Sequence, residues 1–274
     1  MKKLGIIIAL LLLLTLVACG SSTSTLVTNE CTDQTASSLK AQGKVEDTGG
    51  GLLSRRGFVW LEGDSGDPEL DLIPLANPSF EYGAPPTGWT AENSILSHEG
   101  TIVKLGSASI KIWSNGIWAR AYQSIANYAD YAGKRVTVGV WYYASSTNDR
   151  PQHLAICDGV GSSGSAAFTK DDAWHWITVS RTIDASPTML EVRLFVNNLG
   201  TSDSNDVLYV DGAILVVGDT INAVFDDGEF STGTYSLTIE GLEPDTSYRV
   251  RAFGENEAGI SYGNTVTGKT LAAT

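Results

Sequence analysis

The sequence predicts an all-β protein of two β-sandwiches, and three observations carry that expectation. Runs alternating between apolar and polar residues recur along the chain, clusters of Gly, Asn, Asp and Ser separate them, and no window sustains a helical period. The 274 residues suffice for about two domains, and 29 Gly, seven Trp and ten Tyr suit many strands joined by tight turns.

The first 19 residues stand apart. Lys2 and Lys3 give a basic start, and residues 4–18 form an apolar run that ends in Leu16-Val17-Ala18-Cys19. The run is shorter than the ~20 residues that span a bilayer, which marks a secretory leader rather than a membrane helix. Leu-Val-Ala-Cys at its end resembles a bacterial lipobox. That resemblance implies a lipid on the Cys19 thiol, a mature chain starting there, and attachment to the outer side of a bacterial membrane. Gly20 after the cysteine favours export to an outer surface. Residues 20–26 then read as a short polar tether.

The formal net charge is −13, and loss of the two leader lysines makes the exported chain more acidic still. Such a surface repels nucleic acid and anionic head groups, so nucleic-acid partners are excluded. Cys31 and Cys157 remain after the leader; an exported chain tolerates a disulfide, and the spacing leaves both a long-range bridge and two buried thiols open.

Four alternating runs define the strands most sharply: residues 136–143, 190–196, 235–239 and 248–253. In the first, Val136, Val138, Val140 and Tyr142 share the core face, and Thr137, Gly139, Trp141 and Tyr143 the other. In the second, Leu190, Val192, Leu194 and Val196 are expected inside, and Glu191, Arg193 and Phe195 outside. Trp89 and Trp174 are expected in the core.

The two ends of the chain read as halves of one domain. The front half carries Gly43-Lys-Val45, the glycines 49–51 and Arg56-Gly-Phe58; the back half carries Leu242, Pro244, Thr246 and Tyr248-Arg-Val-Arg-Ala252. This order resembles fibronectin type III-like domains of bacterial surface proteins. Residues 27–72 and 219–274 together have the ~100-residue size of such a sandwich, and Tyr248 sits where that family places its tyrosine corner. Residues 73–218 are then an insertion in a surface loop. Their landmarks are Asn77-Pro-Ser-Phe-Glu81, Gly88-Trp89, residues 106–112 and 121–125, Trp141, Trp174 and Tyr209-Val-Asp-Gly-Ala213. The order resembles the galactose-binding-like jelly rolls that serve as carbohydrate-binding modules.

That second resemblance implies a glycan site on a concave sheet, with Trp118 as a stacking aromatic and Gln123 as a cleft amide. Sugars stack their C–H faces on rings while polar groups hold their hydroxyls, so Trp141, Tyr143 and Arg193 join the candidates from the outward faces of their strands. Trp118 and Gln123 are five apart, so a regular strand cannot point both into one cleft. The resemblance also implies a structural Ca²⁺ between Glu81 and Asp211, a hard cation suited to oxygen ligands; hydrogen bonding of the two carboxylates at strand ends is the alternative.

Two apparent catalytic motifs fail on context. Gly63-Asp-Ser-Gly-Asp-Pro68 mimics a serine-protease loop, yet no His precedes His98. Gly159-Val-Gly-Ser-Ser-Gly164 fits a dinucleotide fingerprint, yet no helix follows to receive a pyrophosphate. His98, His153 and His175 have no metal-binding spacing. The sequence therefore predicts no enzyme. A carbohydrate-binding surface lipoprotein is the first reading, a spacer or adhesin-type interaction protein the second, and an undetected glycan hydrolase the third. An aromatic strip on the concave sheet favours the first; a concave face filled by small or charged residues, or covered by the fibronectin-like halves, favours the second.

Overall fold

The computed structural model describes residues 22–51, 53–199, 205–227 and 230–274; the leader and Cys19 lie outside the described residues. The strands are β1 (Thr25–Thr32), β2 (Ser38–Asp47), β3 (Arg55–Glu62), β4 (Thr90–Glu92), β5 (Ser94–Glu99), β6 (Ser109–Ser114), β7 (Arg120–Ser124), β8 (Arg135–Ala144), β9 (His153–Cys157), β10 (Ser162–Gly164), β11 (Trp174–Thr182), β12 (Glu191–Phe195), β13 (Val207–Val217), β14 (Ala223–Phe225), β15 (Gly233–Glu240), β16 (Ser247–Asn256), β17 (Gly259–Tyr262) and β18 (Val266–Lys269). They form two β-sandwiches, and the described chain is all-β apart from one short 3₁₀ turn, Tyr128–Tyr131.

The first sandwich joins the two ends of the chain. One sheet runs β1-β2-β15; the other runs β14-β3-β16-β17, with β18 also paired to β16. β15 lies along β2 from Gly233↔Val45 to Glu240↔Ser38, and β16 along β3 from Tyr248↔Glu62 to Glu255↔Arg55. Alternation aims Leu39, Ala41 and Val45 at Phe58, Val250 and Ala252, all fully or almost fully buried. The Tyr248 hydroxyl accepts from the Glu243 N–H at 2.8 Å, tying the loop before β16 to the strand itself.

The second sandwich occupies the middle of the chain, with sheets β10-β9-β12-β7-β4 and β11-β8-β13-β6-β5. Its core takes Val136, Val138, Val140 and Tyr142 from β8, and Leu190, Val192, Leu194 and Val196 in and around β12. A bulge between Asp211 and Ile214 resets β13: Leu208 and Val210 point inward before it, Ala213 and Leu215 after it. Gly212 at the bulge has φ 57°, and a Cβ there would strike Leu105 Cδ1 at 2.4 Å.

The sandwiches share an interface. The outer face of the β14-β3-β16-β17 sheet presents Phe225 and Phe253, whose ring centroids are 5.8 Å apart. Against them lies part of the outer face of β11-β8-β13-β6-β5: Trp176 sits 5.4 Å from Phe225 and 5.5 Å from Trp141, with Leu105, Ile214 and Val216 in the same cluster. Trp176 lies across Gly139, where a Cβ would fall 2.4 Å from the indole. Arg55, 3% exposed, pairs with Glu255 and donates from Nη1 to the Ala213 carbonyl at 2.7 Å, bridging the two sandwiches. Large aromatic rings buried this way contribute about 1.5–3 kcal/mol each.

Cys31 lies in the core of the first sandwich and Cys157 on β9 of the second; both are buried free thiols. Burial pushes the Cys31 pKa up to about 11. The stretch 63–68 is the loop after β3, where Thr265 Oγ1 donates to Asp67, and 159–164 is the turn and second strand of the β9–β10 hairpin.

Candidate functional site

The outer face of β10-β9-β12-β7-β4 is a cleft of about 330 Å³. Strand register builds its floor in rows. One row is Gly164, Ala155, Arg193, Tyr122 and Thr90; the next is His153, Phe195, Arg120 and Glu92. His153 and Phe195 stack with centroids 4.6 Å apart and planes 18° apart, and the Arg120 guanidinium lies 5.4 Å from the Phe195 ring centre. Burial lowers the His153 pKa, which favours the neutral imidazole in that stack.

Trp118 forms one wall. It lies in the loop between β6 and β7 and is 45% exposed. Its φ is 54°, a region a bulky aromatic residue rarely occupies. The loop is locked around it: the Trp118 N–H donates to Leu199 O at 3.1 Å, Asn93 Nδ2 to Ile117 O at 2.9 Å, and Asn197 Nδ2 to Gly116 O at 3.0 Å. A strained conformation held by three long-range bonds is a preorganised position, a feature that clusters at ligand clamps.

Both arginines of the cleft are oriented by carboxylates. Arg193 donates from Nε and Nη2 to Glu191 Oε2 at 2.8 and 2.7 Å, and Ser124 Oγ donates to Glu191 Oε1 at 3.1 Å. Arg120 Nη2 meets Glu92 Oε2 at 2.6 Å. These planar groups present fixed donors and acceptors beside the aromatic surface.

The candidates from the sequence divide between the two sheets. Trp118 and Arg193 come together in the cleft. Gln123 does not: it is 6% exposed, points into the sandwich, accepts from Ala76 N at 2.6 Å and donates to Ala76 O at 2.9 Å. β7 begins at Arg120, so Ala121 and Gln123 fall on its inward face and Trp118 precedes the strand. The expectation for Trp141 is corrected too. Its face belongs to the opposite sheet and lies under the first sandwich, with Lys104 Nζ 4.4 Å above its ring. Tyr143 is on that same sheet, outside the cleft, and beside it stands Trp174, half-buried on the outer face rather than in the core. Trp89 is in the core.

Sequence reasoning missed Phe195, His153 and Arg120 as cleft residues. The alternation that exposed Arg193 also exposed Phe195, but nothing local placed β9 beside β12 or Arg120 on the floor.

Glu81 and Asp211 clasp one loop. Glu81 accepts from Ser107 N and Ser107 Oγ; Asp211 accepts from Lys104 N, Leu105 N and Gly212 N. Burial raises the Asp211 pKa above its ordinary value, against the lowering effect of those N–H donors. All four carboxylate oxygens face donors, the opposite polarity to a calcium cage of carbonyls and free carboxylates. Among the described residues no group of three or more His, Cys, Asp or Glu could hold a metal ion. These residues fit the hydrogen-bonding alternative rather than a calcium site.

No family model matches the chain, and no curated protein matches it. Solved structures do. The CBM22-1 xylan-binding domain of Paenibacillus barcinonensis Xyn10C matches 57% of this chain and 100% of its own at 16% identity and a TM-score of 0.42. The C-terminal family 22 carbohydrate binding module of Clostridium thermocellum Xyn10B matches 54% of this chain and 99% of its own, at 19% identity and a TM-score of 0.40. TmCBM61, solved in complex with β-1,4-galactotriose, matches 53% and 97%, at 15% identity and a TM-score of 0.38.

Proposed function

We propose that this chain is a non-catalytic surface lipoprotein that binds a polysaccharide in the cleft of the β10-β9-β12-β7-β4 sheet. Trp118 carries the reading: it is an exposed indole fixed at positive φ above a floor of stacked rings and oriented arginines. A pyranose laid on the indole would place its C–H face on the ring and its hydroxyls within reach of Arg193, Arg120, Glu191 and Tyr122. A lipid on Cys19 would hold the protein at the outer side of a bacterial membrane, with the sandwich formed by the chain ends acting as a fibronectin type III-like spacer.

The cleft chemistry argues against glycan hydrolysis. That reaction needs a carboxyl group with a raised pKa as general acid. The carboxylates beside the cleft, Glu191 and Glu92, are each committed to a pair with a neighbouring arginine. The spacer or adhesin-type reading has one observation in its favour: Ala155, Ser162 and Gly164 make one side of the cleft small and featureless.

Isothermal titration of a soluble form starting at Ser21 against xylan, β-glucan, galactan and cello-oligosaccharides tests the proposal. At least one should bind, and Trp118→Ala should weaken binding about tenfold, the equivalent of ~1.4 kcal/mol. A blank panel favours the spacer reading; release of reducing sugar revives hydrolysis.

A further inference from the structure

Residues 20–26 read as a tether in the sequence, but the fold takes most of them into the first sandwich. Ser24 and Leu26 are buried, and β1 starts at Thr25. Ahead of them Ser22 is pinned to one end of that sandwich. Its N–H donates to Gly49 O at 2.9 Å, and its carbonyl accepts from Asn256 Nδ2 at 2.7 Å. The same Asn256 amide donates to Thr48 O at 2.8 Å, fixing the loop that holds Ser22. Cys19 therefore stands three residues before a fixed point. At full stretch that link reaches ~10 Å.

Beside this exit the two sandwiches leave a groove of about 700 Å³. The loop that holds Ser22 lines it through Thr48, Gly51 and Leu53. The inserted sandwich lines it through Val103 and Ser107, in the loop between β5 and β6, and Phe230 closes it from the loop before β15. Exposed Ser107, Ser231 and Thr232 give its edge free hydroxyls. Both sandwiches thus meet at the end where the chain leaves. The Trp118 loop lies at the other end of the inserted one. β6 runs from Ser109, just past the groove, to Ser114, just before that loop, and its six residues span ~20 Å.

We infer that this end, the loops around Thr48, Val103 and Ser231, is the membrane-facing surface of the protein. The three-residue link holds it against phospholipid head groups, and the Trp118 end stands clear of them. The inference rests on the lipid at Cys19 and is independent of what fills the cleft. Reach selects the occupant. A lipid within ~10 Å of Ser22 enters a bilayer only if the loops around Ser22 come down to the head groups. Rim hydroxyls can then donate to phosphate and glycerol oxygens. The surface needs little affinity of its own, because a short link keeps it at high effective concentration over the membrane. With a net charge of −13, the free protein gains nothing from anionic lipid, so the contact depends on the link.

Full-length protein reconstituted into vesicles of phosphatidylethanolamine and phosphatidylglycerol tests this. A fluorophore is attached at Thr101→Cys, Ser231→Cys or Asn115→Cys. Cys31 and Cys157 are buried, and the native protein taken through the same labelling sets the background. Lipid with a nitroxide on its head group should quench the labels at 101 and 231 and leave the label at 115 bright. Insertion of about ten Gly and Ser residues after Gly20 adds up to ~30 Å of reach. It should cut that quenching several-fold while the protein stays on the vesicles. Equal quenching at all three positions, quenching at none, or quenching that survives the longer link overturns the inference, and vesicle-bound protein still upholds the lipid at Cys19. Protein that neither floats with the vesicles nor partitions into detergent overturns the lipid, and the inference with it.

Discussion

Asp158 offers a quantitative test of how the cleft wall is held. The residue follows β9, and its side chain is fully buried. Oδ1 accepts from Val160 N at 3.1 Å and Gly161 N at 2.8 Å, closing the β9–β10 hairpin. Oδ2 accepts from Arg181 Nε at 2.8 Å and Asp184 N at 3.0 Å, tying that hairpin to β11 of the opposite sheet. Burial by itself would raise the pKa; the hydrogen bonds from Asp184, Gly161, Arg181 and Val160 outweigh it and hold the group at about 2, against an ordinary 3.8. A folded-state pKa below the unfolded one contributes stability above the unfolded value, lost as pH falls through the folded one. The contribution is about 2 kcal/mol above pH ~4, and it disappears toward pH ~2.

Asp158→Asn keeps the shape, removes the charge and turns a donor toward Arg181 and the Asp184 N–H. Breaking a buried pair costs about 3–5 kcal/mol; Arg181 keeps some solvent contact, so the low end applies. For a protein of this size that lowers the melting temperature by roughly 9 °C at pH 7. Thermal melts followed by near-ultraviolet circular dichroism from pH 2 to 7 measure both effects. The native protein should lose stability more steeply than the variant below pH 4. A variant melting within about 2 °C of native at pH 7, or parallel acid profiles, would refute the reasoning.

Three further expectations follow from named contacts. Tyr248→Phe removes only the bond to the Glu243 N–H and should destabilise by about 1 kcal/mol in urea, with an unchanged m-value. Millimolar Ca²⁺ or chelator should leave the melting temperature unchanged, because Glu81 and Asp211 already face N–H and O–H donors; a calcium-dependent rise would restore the calcium reading. The full-length protein made in bacteria should partition into detergent and lose that behaviour on Cys19→Ser, whereas equal partitioning would argue against lipidation.

Alternation along the chain makes much of the fold legible. The core residues of β8 and β12 and the outward Arg193 follow from period 2 alone, and the same parity predicts that Trp118 and Gln123 do not share a face. Period 2 sorts two faces of a strand but says nothing about what lies against the outer one. Trp141 and Tyr143 stand on one outward face, two residues apart; the first sandwich covers Trp141 and not Tyr143. That difference depends on contacts with Phe225, more than 80 residues away. Trp174 departs from expectation for the same reason, since a tryptophan suits a core and a surface row equally well. The cleft floor is assembled by pairing β12 with β7 and β9, a long-range arrangement absent from each strand's own pattern. The clasp on residues 104–108 is legible in the sequence as two acidic positions, but its polarity is set by N–H donors from a loop that the spacing of those positions does not specify.

The central claim is that a glycan occupies the outer face of β10-β9-β12-β7-β4, and amide chemical-shift mapping of the ¹⁵N-labelled soluble protein tests it most directly. Titration with a binding oligosaccharide should move the amides of residues 117–122, 153–155 and 193–198, with the Trp118 indole resonance among the largest changes. Shifts absent from all three segments at saturating sugar would contradict the account.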